Sequence, residues 1–85
     1  MELQIMIGHV LRQRRQALGL SLRDMEELHH YGRGYLSQVE RGQKALSMDS
    51  IWRLCEALGL PLSVMLAEVS DLLAEIEKGA AYATA

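Results

Sequence analysis

The sequence predicts an all-α protein of five helices, on three observations. Apolar residues recur at spacings of three and four, the period of one helix face. The segments defined this way open at Ser or Pro and close at Gly, where helix caps belong. Leu and Met are plentiful, Phe is absent and there is a single Pro, a mix that suits helices better than strands.

The first helix is expected from about Leu3 to Leu18, with Ile7, Val10, Leu11 and Leu18 on its apolar face and Gly19 as its stop. Ser21 caps the second, which runs to about His29. Asp24, three residues on, makes a near relative of a capping box. A short break at His30 to Gly32 leads into a third helix from Arg33 to Glu40 or Arg41, closed by Gly42. After the loop of Gln43, Lys44 and Ala45, Ser47 caps a fourth helix from Met48 to Leu58, with Asp49 favourably placed in its first turn. Pro61 opens a fifth, expected to end near Lys78 before Gly79, with residues 79–85 as a flexible tail. Residues 1–78 then form one domain.

Eighty-five residues make a single domain whose core is modest, so a partner subunit would help its stability. An apolar content of 49% is too high for a disordered tail. The single cysteine, Cys55, can build no disulfide framework within the chain. No basic residue precedes Arg12, and the apolar run Ile5 to Val10 is short and broken by Gly8 and His9, so neither a signal peptide nor a membrane span is expected. The expected location is cytoplasmic. The net charge of −2 hides a polarity. Residues 1–44 carry seven Arg and Lys against five acids, and residues 45–85 carry two against six.

The second and third helices are each about two turns long and joined by a tight break. Two such helices make no core alone and need the other three as a scaffold. This is the arrangement of a helix-turn-helix, here at about residues 22–41, whose second short helix probes the DNA major groove. In the third helix Leu36 and Val39 form the anchored back, Arg33, Ser37 and Gln38 lie toward the front, and Gly34 presents bare backbone. Arg can grip guanine O6 and N7 with two bonds, and Gln can grip adenine N6 and N7.

The run Leu11-Arg12-Gln13-Arg14-Arg15, then Leu18-Gly19-Leu20-Ser21, then Gly34 through Gly42, then Leu54-Cys55-Glu56-Ala57-Leu58-Gly59 resembles the Cro/C1-type (Xre-type) helix-turn-helix domains of bacteria and phages. The resemblance covers Ile7 to Leu66. The stretch Tyr35 to Lys44 and the Leu-Cys-Glu-Ala-Leu-Gly run look particularly like actinobacterial regulators of protease genes. The resemblance implies a lambda-repressor-like DNA-binding domain with an extended C-terminal helix. It implies base contacts from Arg33, Gly34, Ser37 and Gln38. Phosphate contacts are implied near Ser21 and Arg23, with Tyr35, Gln43, Lys44 and Ser47 adding to them. Arg15 and Glu40 look like the structural ion pair that ties the first helix to the end of the third.

The chain departs from the family pattern at several positions. Glu26 stands where a small residue is usual, His29 where an apolar one is, His30 where a turn glycine is, and Leu22 where Gln is common. Gly32 replaces the usual Ser or Thr cap. These departures bear on the angle between the second and third helices, and with Gly34 they suggest a pliable reading helix that orders fully on DNA.

Other readings stand beside these. Arg12, Arg14 and Arg15 form either a stripe facing phosphate or a solvated face with one structural pair. Glu26, His29 and His30, at i, i+3 and i+4, have a spacing that could ligate a metal, but packing and turn formation account for them, and no metal or cofactor is expected. Cys55 reads as a buried small hydrophobe. Trp52 and Tyr31 read as core or hinge residues. No nucleophile–base pattern or phosphate-binding glycine loop points to an enzyme.

In the fifth helix Leu62, Met65, Val69, Leu72 and Ile76 repeat at alternating three and four, with Leu66 and Leu73 widening the stripe. The part past Val69 exceeds what a compact domain of this family needs. Val69, Leu72, Leu73 and Ile76 are therefore expected at a homodimer interface. A dimer would set two reading helices about one DNA turn apart over an inverted repeat. The function expected is a transcriptional regulator binding double-stranded DNA. The rival is an antitoxin or another protein-interaction module on the same fold, with a protein partner.

Overall fold

The computed structural model describes the backbone of residues 3–84 and the side chains of residues 3–79. Among these the chain forms five helices and no strand: α1 (Leu3–Ala17), α2 (Leu22–His29), α3 (Arg33–Glu40), α4 (Met48–Ala57) and α5 (Leu62–Thr84).

Three of the starts are made by local devices. The Ser21 hydroxyl accepts the Asp24 N–H at 3.0 Å and the Asp24 carboxylate accepts the Ser21 N–H at 2.7 Å, a complete capping box at α2. The Ser47 hydroxyl accepts the Ser50 N–H at 3.1 Å and opens α4. The Pro61 carbonyl accepts from Val64 and Met65, both at 3.0 Å, and opens α5. The helix α3 starts without a side-chain cap from its own N-cap residue, because Gly32 has none to offer. His30 ends α2 in the left-handed region at φ 61°, the conformation for which glycine is the usual choice.

The helices bury one face each. Met6, Val10 and Leu11 of α1 meet Met25 of α2, Leu36 and Val39 of α3, Ile51, Leu54 and Cys55 of α4, and Met65 and Val69 of α5 in one core. The helix α3 packs on α1 and α2, and α5 packs on α1 and α4, so α1 is common to both groups. At its crossing with α3, α1 presents Gly8. A Cβ there would collide with the Val39 carbonyl oxygen and lie 2.9 Å from that of Glu40. After α3 the chain turns at Gly42, φ +70°, pressed against Ile5, where only glycine meets both demands.

Three expectations change. Leu18 is exposed, since α1 ends at Ala17 and the chain turns away before it can pack. Trp52 is 54% exposed on the outer face of α4, opposite Ile51, Leu54 and Cys55, and is not a core residue. The helix α5 continues through Gly79 to Thr84 instead of stopping near Lys78. Gly79 lacks the positive φ of a helix stop. One glycine costs about 1 kcal/mol relative to alanine, and the alanines that follow are the best helix formers. The expected loose tail falls largely on residues 80–85, whose side chains lie outside the described residues.

Candidate nucleic-acid interface

The short helix α3 has two unlike faces. Leu36 and Val39 are buried against the core. Arg33, Gly34 and Gln38 are exposed and Ser37 is half-buried, so the four sequence-predicted base readers share the outer face. At eight residues the helix is about 12 Å long, comparable with a major groove about 12 Å wide.

The back of α3 is tied down by charge as well as packing. Arg15 reaches from α1 and donates to both Glu40 carboxylate oxygens, at 2.7 and 2.8 Å, and to the Leu20 carbonyl at 2.7 Å. Both side chains are about nine-tenths buried. The hydrogen bonds to Glu40 push the Arg15 pKa up, against the effect of burial. Glu40 therefore points into the protein and is unavailable to DNA. Gln4 adds a side-chain bond to the Gly42 carbonyl at 2.9 Å.

The other basic residues of α1 separate into different roles. Arg14 donates to the Leu58 and Gly59 carbonyls, each at 3.1 Å, and caps the end of α4. Arg12 is exposed and has no ion pair among the described residues. A continuous basic stripe of Arg12, Arg14 and Arg15 does not exist.

Glu26, which stands where the family pattern has a small residue, reaches across the break to Arg33. Its Oε2 accepts the backbone N–H of Arg33 at 3.3 Å. Its Oε1 lies 3.4 Å from Nε of the Arg33 side chain. A carboxylate from α2 thus supplies the cap that Gly32 lacks, and a negative charge suits a helix N-terminus. The missing cap at Gly32 was the one signal that could have prompted a search for a distant acceptor. Gly8 and Arg14 have roles other than those expected of them, close packing on α3 and capping of α4.

The candidate phosphate contacts lie in two groups. Ser21 and Arg23 mark the N-terminus of α2, a position suited to an anion. The Ser21 hydroxyl is engaged with Asp24, and Arg23 lies 3.5 Å from Glu27 at the surface. The backbone and hydroxyl of Ser21, in that order, hold the Asp24 carboxyl below its ordinary pKa. The second group surrounds α3. Tyr35 stacks on Tyr31 with ring centroids 6.2 Å apart, and Lys44 Nζ sits 5.6 Å from the Tyr35 centroid. Burial pushes the Tyr31 hydroxyl pKa up. Gln43 and Ser47 are exposed on the loop that follows, with Ser47 already serving as the α4 cap.

The remaining candidates have packing roles or open surface. Glu26 faces Arg33, His29 is half-buried and His30 is exposed, so the three do not converge as ligands. Cys55 is fully buried, and burial raises its thiol pKa and keeps it neutral. Of the residues expected at a dimer seam, Val69 belongs to the core of its own chain, because α5 still lies across α1 and α4 at that point. Leu73 is partly buried against the same core. Leu72 and Ile76, each 37% exposed, face outward. With Ile5, Met6, His9 and Glu75 they line an open, mainly apolar groove of about 380 Å³ between α1 and α5. Among the described residues no single helix is long and apolar enough to cross a membrane.

A capped short helix, a left-handed break and a second short helix with a buried back and a polar front make a helix-turn-helix unit. The chain belongs to the helix-turn-helix domain family, whose model matches residues 7–68. Its particular likeness is to the transcriptional regulator ClgR. The ClgR of Mycobacterium tuberculosis is 39% identical over 72 residues, which are 85% of this chain. The chain spans 64% of the length of that relative. Two crystal structures of the clp gene regulator ClgR from Corynebacterium glutamicum share the fold. One has a TM-score of 0.76 at 34% identity, covering 84% of this chain and 91% of the other. The second has a TM-score of 0.81 at 31% identity, covering 99% and 89%.

Proposed function

We propose that this chain is a transcriptional regulator, not an enzyme, that binds double-stranded DNA in the cytoplasm and reads a short inverted repeat as a homodimer without a cofactor. The observation that carries the reading is α3. Its apolar back is locked to α1 and α2, and its front offers Arg33, Gly34, Ser37 and Gln38 on one exposed face. The regulators it resembles support the same assignment.

Arg33 and Gln38 supply the two side chains suited to bidentate contacts with guanine and adenine. Ser37, one turn after Arg33, hydrogen-bonds base or phosphate, and Gly34 lets the backbone approach. Arg23, Tyr35, Gln43, Lys44 and the region of Ser21 and Ser47 hold the phosphates and fix the register. The second copy packs over the groove between α1 and α5, on Leu72, Leu73 and Ile76. Burying that apolar face is the favourable term in dimer formation.

The test is binding to the DNA upstream of the protein's own gene against a scrambled duplex, at two salt concentrations. The wild type is expected to prefer its own region. Arg33→Ala with Gln38→Ala is expected to lose the preference while keeping weak, salt-sensitive binding. A wild type with no preference for any duplex selected from a random pool would overturn the reading, and would favour a fold used to bind another protein.

A further inference from the structure

Arg33 is the charged member of the four candidate base readers, with its side chain 58% open to solvent. A long side chain at the start of a helix samples many rotamers, and most of them point the guanidinium away from a base edge. Two-bond recognition of guanine needs the planar group in one orientation. Something must therefore hold Arg33 if it is to read a base with selectivity, and the structure contains such a group.

Glu26 touches Arg33 at both ends. One carboxylate oxygen accepts its backbone N–H at 3.3 Å, and the other lies 3.4 Å from Nε. Nε is on the near edge of the guanidinium. The contact leaves the two Nη nitrogens, the far edge, without a hydrogen-bond or ion-pair partner among the described residues, on a side chain more than half exposed. Two parallel N–H donors are what the O6 and N7 acceptors of guanine require. A carboxylate at this place would repel phosphates, so its own contact with the DNA backbone is unfavourable. Its use is internal.

We propose that Glu26 is a specificity-determining positioning residue. It fixes Arg33 by Nε so that the Nη edge meets one G·C pair, and it caps α3 in the same act. The proposal rests on the assignment of α3 as the reading helix. Preorganising a contact residue in the free protein lowers the ordering cost of binding and widens the gap between the right base and a wrong one.

The experiment separates positioning from capping. Duplexes are selected from a random pool by the wild-type protein, and single-base-pair variants of the selected site are titrated with each mutant. Arg33→Ala is expected to lose discrimination at one base pair of each half-site. Glu26→Gln keeps an acceptor oxygen for the Arg33 N–H and loses the charge. It is expected to reduce discrimination at that same base pair by about fivefold, the lower end of what one bidentate contact is worth, and to leave the other positions unchanged. In the Arg33→Ala background, Glu26→Gln should change nothing further.

Gly32→Ser restores a local cap, since a Cβ there meets nothing within 4 Å and the backbone is already extended. Added to Glu26→Gln it should recover thermal stability and helicity without recovering discrimination. Recovery of discrimination by Gly32→Ser, an unchanged Glu26→Gln profile, or an even relaxation at all positions would each overturn the positioning role. With Arg33→Ala still position-selective in its effect, those outcomes leave the reading of α3 standing. An Arg33→Ala protein that discriminates like wild type overturns both.

Discussion

Arg15 donates to three oxygens at once, two on Glu40 and one on the Leu20 carbonyl. Its neighbour Arg14 donates to the end of α4. The sequence offers the two as adjacent basic residues, and only the turn of the helix sends them to different partners. Breaking the buried pair from one side leaves an uncompensated charge. Glu40→Ala is therefore expected to destabilise the fold by about 3–5 kcal/mol, a large part of a typical domain's stability, read as a fall in the thermal midpoint. The Arg15–Glu40 pair was legible only through family resemblance. Of the Glu26–Arg33 pair only its halves were legible, an unusual Glu26 and an uncapped Gly32, because seven residues and a left-handed break separate the partners and no local rule links them.

Helix starts were the most legible elements. The devices at Ser21, Ser47 and Pro61 are made by residues within four positions of one another, and such local chemistry is written directly in the sequence. The end of α5 was misread because Gly79 stops a helix only when its backbone turns left-handed, and a regular helix also accepts it. Gly8 shows the opposite limit. By helix propensity alone, alanine there would gain about 1 kcal/mol. In the folded chain the Cβ would meet backbone carbonyls of Val39 and Glu40, which have no rotamer to move away. Gly8→Ala is expected to destabilise by at least about 1–3 kcal/mol and to weaken DNA binding by tilting α3. A melting curve at or above that of wild type would show that the α1–α3 crossing is looser than described.

Across the whole molecule, 50 Å in its longest extent, the charge is unevenly spread. The basic excess before residue 45 comes from α1 and Lys44, since residues 22–41 carry three Arg against four acids, and the acidic excess lies after residue 45, largely on α5. Both α3 and α5 pack on α1, so α1 stands between the polar outer face of α3 and the acidic helix. Phosphate approach from the α3 side is electrostatically favoured over approach from the α5 side. The groove between α1 and α5 gives the proposed dimer its own test. Leu72→Asp with Ile76→Asp places two like charges on the exposed stripe and leaves Val69 and Met65 in the core. The variant is expected to sediment as a monomer, to keep its fold, and to bind an inverted repeat at least about tenfold more weakly, through loss of the linked second contact. A wild type that is already monomeric at high concentration would remove the seam.

The hold of α1 on α3 also decides what can be transplanted. Glu40 finds its partner 25 residues earlier, and Gly8 lies earlier still. A graft of Ser21 through Gly42 into a foreign scaffold carries the capping box, the Glu26–Arg33 contact and all four candidate base readers. It leaves behind Arg15, the bare backbone at Gly8 and the Gln4 bond to the Gly42 carbonyl. The smallest portable form of the proposed reading head therefore includes α1, to which no base contact is assigned.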